Sequence, residues 1–173
     1  GIEAQAATDR ELTEVARAYD GGRLLLIGPS NLDAHMPIIW NIGAIAKSGH
    51  PRALDTVRKV LLVSSAIPGA FSPVLFDVTV DGQDFQELHV DGGAFAQVFL
   101  YPASVGTFRR ARLARGQPIA PARAWVLRNG RLDPEWASVD RQTIGIAGRA
   151  VAAMISSAGV NDVWRIYTAT ERD

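Results

Sequence analysis

Apolar residues recur at helical spacing from Thr8 to about Tyr19, where Leu12, Val15, Ala16 and Tyr19 share one face. Thr8 and Glu11 fit a capping box at the start of this helix, and Gly21-Gly22 stop it. The run Leu24-Leu25-Leu26-Ile27 is too short for a helix and is flanked by glycines, which predicts a strand buried on both faces of a parallel sheet. A helix followed by a buried strand is an α/β pattern. Asn41 is placed to cap a short helix that runs through Ile45 and ends near Gly49. Pro51 then stands in the first turn of a helix carrying Leu54, Val57, Leu61 and Leu62, which Pro68-Gly69 ends.

Val74 to Val80 and Phe85 to Val90 flank Asp81-Gly82, a dipeptide suited to the turn of an antiparallel β-hairpin. Beyond Asp91-Gly92-Gly93 the chain is apolar to Tyr101, and the arginine-rich stretch from Phe108 to Gly116 reads as a solvated helix and loop. Arg123 to Arg128, around Trp125-Val126-Leu127, reads as a strand closed by the turn dipeptide Asn129-Gly130. A helix is expected from about Thr143 to Ala158, with Ile144, Gly148, Val151 and Ile155 on one face and Gly145 and Gly148 allowing close approach to a sheet. Val163 to Thr168 would finish as a strand. No repeat, low-complexity segment or linker interrupts this pattern, so residues 1–173 read as one domain.

Composition agrees with a globular α/β domain: 173 residues, 47% of them hydrophobic, with 18 Lys+Arg against 18 Asp+Glu. A domain of this length buries about 70% of its unfolded surface. Balanced charge leaves no basic field to track a nucleic-acid backbone. With no cysteine, disulfides, thiolate metal sites and a Cys nucleophile are excluded, and nothing is learned about compartment. Uninterrupted apolar runs such as Val60 to Val63 fall far short of a membrane span, so no transmembrane segment is expected. The chain opens on Gly1 and not on Met, which reads as a piece of something larger.

A serine hydrolase of α/β type needs a Gly-x-Ser-x-Gly elbow, because small flanking residues permit the strained turn that exposes the hydroxyl. None is present. Gly28-Pro29-Ser30-Asn31-Leu32 lacks the second glycine, and in Ser156-Ser157-Ala158-Gly159 the glycine is better explained as a helix C-cap. Asp33-Ala34-His35 and His89-Val90-Asp91 each place a carboxylate and an imidazole on one face of extended backbone, as a chelating pair would need. Neither pair has a third ligand at a recognisable spacing, so ordinary polar loop and strand-end roles are the simpler reading, and no metal or other cofactor is expected. His50, before Pro51, is expected at the surface. Asp91 stands apart: a carboxylate at a strand end, followed by two glycines, suits the carboxyl edge of a sheet where α/β proteins hold ligands. A plain turn with Asp as side-chain acceptor explains the same tripeptide.

Three stretches together carry a resemblance. Ile27-Gly28 through Asn31-Leu32-Asp33-Ala34, continuing from Pro37 to Trp40-Asn41-Ile42-Gly43-Ala44-Ile45-Ala46, is similar to the central strand and following loop of the patatin-like phospholipases. Ser64-Ser65-Ala66-Ile67-Pro68-Gly69-Ala70-Phe71-Ser72-Pro73 resembles that family's Ser-Ile-Pro-Gly-x-Phe-x-Pro segment, and Val90-Asp91-Gly92-Gly93-Ala94 resembles its Asp-Gly-Gly/Ala motif. The resemblance implies a three-layer α/β/α fold with a mainly parallel central sheet. It also implies hydrolysis of acyl esters, often phospholipids, by a Ser-Asp dyad. Asp91 matches the dyad carboxylate, with Gly92 and Gly93 completing the motif, and the three histidines receive no role.

The glycine-rich oxyanion loop and the Gly-x-Ser-x-Gly elbow that precede this region in the family are absent from the chain, which therefore resembles the C-terminal portion of a patatin-like domain with no nucleophile of its own. Alone it is expected to be inactive, since covalent catalysis and oxyanion stabilisation are both lost. A second polypeptide carrying the serine is the implied partner, and an acyl ester or phospholipid the implied substrate. Phe71, Phe95, Phe99 and Tyr101 lie near the matched motifs as acyl-pocket or core residues. A noncatalytic α/β binding or scaffold module is the alternative.

Overall fold

The computed structural model describes residues 2–99, 110–118, 123–128, 133 and 136–172, with side chains described from Arg10 to Thr170. Two compact units divide the chain, Gly1–Phe95 and Ala96–Asp173, at a place where the sequence has no linker-like composition.

In the first unit, α1 (Ile2–Asp20) leads to β1 (Leu26–Ile27), β2 (Ser30–Asn31), β3 (Met36–Pro37) and β4 (Trp40–Asn41). Then come α2 (Ile42–Lys47), α3 (Ala53–Val63), β5 (Val74–Val80), β6 (Gln83–Val90) and a 3-10 turn (Gly92–Ala94). Helix α1 starts at Ile2, so Thr8 lies within the helix and not at its start. Its end is as expected. Gly22, at φ +85°, lets Arg23 N–H reach the Ala18 carbonyl (3.0 Å) and its own N–H reach Tyr19 (2.9 Å), the bond pair of a Schellman motif. Asn41 caps α2 as predicted, its side chain accepting from Ala44 N–H at 3.0 Å.

Helix α3 buries Ala53, Val57, Val60 and Val63, while Leu61 and Leu62 face solvent. The predicted face was therefore right at Val57 and wrong at Leu61 and Leu62. Two apolar stripes run along this helix, and the a/d-like one won because it meets the strands. Ile42, Val57, Val60, Val63 and Phe76 form the core, with Leu12 and Val15 of α1, Ile27, Trp40, Ile45 and Val74 packed against it. Gly43 admits the Tyr19 ring, since a Cβ there would stand 2.5 Å from it.

All strand pairings among the described residues are antiparallel, in a two-stranded sheet β1-β4 and a four-stranded sheet ordered β3-β2-β6-β5. The architecture is thus mixed α/β, and the expected parallel sheet is corrected at these pairings. Short connections explain two of the pairings: residues 32–35 join β2 to β3 and Asp81-Gly82 join β5 to β6, whereas parallel neighbours need a crossover of a dozen or more residues. The predicted hairpin is present, with Val80 opposite Gln83 and both turn residues at positive φ, as a two-residue hairpin turn requires. Leu24–Ile27 is not a doubly buried strand. Only Leu26 and Ile27 pair, and Leu24 remains 65% exposed.

In the second unit, a helical stretch at 110–114 ends at Gly116 (φ +66°), with its arginines largely solvated as expected. Residues 123–128 form no strand, and Trp125 and Leu127 are exposed. Asn129-Gly130 and Tyr101 lie outside the described residues. Helix α4 (Thr143–Arg172) begins where predicted but runs through Gly159 and through Val163 to Thr168, so the C-cap and the final strand are both corrected. Its buried positions, Gly159, Asp162 and Ile166, fall at helical spacing, which outweighs the β-branched and aromatic composition of the segment. Gly159 is needed for close approach: a Cβ would meet Gln97 Oε1 at 2.0 Å. Asp162 Oδ2 accepts from the Gln97 (2.8 Å) and Val98 (3.3 Å) amides.

Most other described positions of α4 are exposed, including Ile144 and Val151 of the face expected to pack, with open space around Gly148, whereas Ile155 of that face is half-buried. Over Thr143–Thr170 the helix is long and apolar enough to cross a membrane, with a mean hydropathy of 1.4 in an 18-residue window that is 6% buried. Counting uninterrupted apolar runs missed this. Arg149 and the serines break the runs, whereas the average over 18 residues stays high.

Candidate functional site

Asp91 follows β6 directly and caps the 3-10 turn, its Oδ1 accepting from Gly93 N–H at 2.6 Å. This is the local side-chain acceptor role that an aspartate before two glycines favours. The bond engages one carboxylate oxygen, and the half-buried side chain keeps access to solvent. The backbone is anchored separately, with Asp91 N–H donating to the Ala66 carbonyl at 2.9 Å.

Gly92 is held against another backbone. A Cβ on it would stand 1.9 Å from the Gly28 carbonyl oxygen, so only glycine permits this packing. Strand β2 lies beside β6 with Ser30 opposite Val90 and Asn31 opposite His89, and the fully buried Ser30 Oγ donates to the Gly92 carbonyl at 3.3 Å. Gly28–Asn31, Ala66 and Asp91–Gly93, each in a different stretch of the sequence, therefore converge on one point.

Beside that point is an open groove of about 590 Å³ between Leu62 of α3 and Val74 of β5, lined also by Ser65, Ala66, Ile67, Phe71, Ser72 and Pro73. No lining residue carries a charge. Ala66 belongs both to the groove and to the anchor of Asp91. Phe71, singled out from the sequence, lines it. Phe95 is 39% exposed outside the lining, and Phe99 belongs to the second unit.

The histidines do not assemble a centre. His89 is 1% exposed, packs on the Phe76 ring at 4.8 Å and has Nε2 3.1 Å from Glu87 Oε2. Asp33 Oδ2 accepts from Leu88 N–H at 2.6 Å, and His35 is exposed at φ +51°. Asp33 and His89 are thus engaged with neighbours other than their supposed chelating partners, and the described residues hold no group of three or more potential ligands. His50 is exposed, with Nδ1 accepting from Arg52 N–H at 3.1 Å.

The serines weighed as nucleophiles are poorly placed. The Ser30 hydroxyl is buried and already donating, and Ser156 and Ser157 lie exposed within α4. Reading the sequence did not assign Ser30, Gly28 or Ala66 a part in the site. The signal at Gly28 was its glycine, whereas a carbonyl acceptor such as that of Ala66 leaves no trace in residue identity. A scan against protein-family models finds no match, and searches of curated proteins and of solved structures find none.

Proposed function

We propose that this chain is the Asp-bearing portion of a patatin-like serine acyl hydrolase, with Asp91 as the dyad carboxylate. The observation that supports the reading is the convergence of the three patatin-like stretches on Asp91, beside an uncharged groove. The nucleophile would come from a segment bearing Gly-x-Ser-x-Gly, outside this sequence. The fold that goes with the reading is a three-layer α/β/α domain, to which this chain contributes helices α1–α3; its mainly parallel central sheet would have to form with the missing segment, since the named strands of this chain pair antiparallel.

In this reading the Asp91 carboxylate accepts the serine proton as the hydroxyl oxygen attacks the ester carbonyl. The C–O bond to the alcohol then breaks, the alcohol leaves with that proton, and water attacks the acyl-serine to release the acid and regenerate the hydroxyl. The Gly93 amide orients the carboxylate throughout. The substrate is an acyl ester or phospholipid, whose uncharged acyl portion suits a groove with no charged lining.

The test joins this chain to a segment carrying the elbow and the glycine-rich loop, and measures kcat/KM on a short-chain aryl ester. Hydrolysis is expected from the joined protein and none from this chain alone. Asp91→Asn should lower the rate by about 10²–10⁴-fold with circular dichroism unchanged, the usual worth of positioned general-base assistance. His35→Gln and His89→Gln should each cost far less. Near-normal activity of the Asp91 variant, or a larger loss in either His variant, would overturn the dyad assignment, whereas no hydrolysis by the joined protein would favour a noncatalytic binding module.

A further inference from the structure

The dyad reading leaves Ser30 without a task, yet its hydroxyl is fully buried and aimed at the Gly92 carbonyl, 3.3 Å away. That carbonyl and the Gly93 N–H are the two ends of one planar peptide unit and point in opposite directions. At the other end, the N–H donates to Asp91 Oδ1 at 2.6 Å. Whatever fixes the carbonyl therefore fixes the donor that orients the carboxylate. The unit lies between two glycines, so no Cβ resists its rotation, and the restraint must come from elsewhere. Phe95 N–H also donates to the same carbonyl, at 3.0 Å, but Phe95 belongs to the very turn being held. Ser30 sits on β2, registered opposite Val90, and is the restraint from outside the turn.

Resting on the assignment of Asp91 to the dyad, we propose that Ser30 is a positioning residue that sets the direction of the Asp91 carboxylate through the Gly92-Gly93 peptide. It touches no reacting atom. Its effect passes through one peptide plane, which gives a task to a hydroxyl in a fully buried strand position where alanine would fit with less desolvation.

Amide hydrogen exchange of this chain, followed residue by residue by NMR, tests the proposal without any esterase activity. In Ser30→Ala the Gly93 amide should exchange about fivefold to tenfold faster, the effect of losing one net hydrogen bond. The Leu32 amide, bonded to the Leu88 carbonyl in the same strand pairing, should keep its rate. Ser30→Cys, of similar volume and with a weak donor, should give a smaller effect in the same direction and serves where the alanine variant does not fold. An unchanged Gly93 rate, or equal acceleration of Gly93 and Leu32, would overturn the proposal by showing no control or only general loosening of the sheet. A Gly93-specific change beside an Asp91→Asn protein that still hydrolyses ester in the joined form would retain Ser30 as the clamp of this turn. It would overturn its catalytic meaning together with the dyad reading.

Discussion

The two units of this chain handle apolar residues in opposite ways. In Gly1–Phe95, α1, α2 and α3 lie against short strands, and Ile42, Val60 and Val63 are at most 2% exposed. In Ala96–Asp173, Ile166 is the one buried large apolar side chain among the described residues, while Ile144, Met154 and Trp164 on the same helix are more than half exposed. Both units are rich in apolar residues. The difference is the number of layers: an apolar face is buried only when a second element is available to cover it. In the first unit the chain doubles back within a few residues, whereas α4 runs for 30 residues with few described neighbours. The candidate site falls on one side of the same line, since Asp91, its anchors and the groove all belong to the layered unit.

The strongest way to sharpen this contrast is to empty the core of the first unit. Phe76 stacks on Trp40 at 5.3 Å, lies tilted against the His89 ring at 4.8 Å and is 7% exposed. Phe76→Ala should cost about 3–5 kcal/mol and accelerate exchange of the protected amides in β5, β6 and α3. Retention of their protection would mean that the core does not depend on this ring.

A smaller effect is expected on the exposed helix. Met154 is 70% exposed, so Met154→Lys should change stability by no more than about 0.5 kcal/mol in urea denaturation. A loss of about 2 kcal/mol or more would break the contrast, because it would mean that this face of α4 is covered in solution.

The smallest effect concerns the ends of α1 and α2, where Lys47 pairs with Asp20. The hydrogen bond to the Asp20 carboxylate, with its charge, raises the Lys47 ammonium above the ordinary lysine value of 10.5. A raised folded-state value stabilises the fold fully below the unfolded value, and that stabilisation is lost as pH rises through the folded one. Between pH 9 and 12, wild type and Lys47→Met should therefore converge in thermal stability, from a small difference because the pair is exposed. A gap that widens with pH would reverse the sign and break the assignment.

Local chemistry was legible in the sequence where a single residue or dipeptide decides the geometry. Gly22 ends α1, Asn41 caps α2 and Asp81-Gly82 turns the hairpin, each through a backbone conformation or side-chain bond that needs no distant partner. Asp91 was singled out for the same kind of reason. Leu24–Ile27, Leu61 and Leu62 were misread because apolar character says that a residue prefers burial, not that a partner is present to bury it. The strand expected at Val163 to Thr168 failed because β-branched composition is a weak preference beside the helical spacing of Gly159, Asp162 and Ile166.

By itself, then, the sequence determined the stop of α1 at Gly22, the Asn41 cap of α2, the Asp81-Gly82 hairpin and the identity of the candidate carboxylate, all governed by interactions within a few residues. Only the tertiary structure decided which apolar faces are buried and that the strand pairings are antiparallel. It also brought Gly28, Ser30 and Ala66 to the turn that holds Asp91. Those contacts join residues dozens of positions apart through backbone carbonyls, which every residue possesses and which residue identity cannot report.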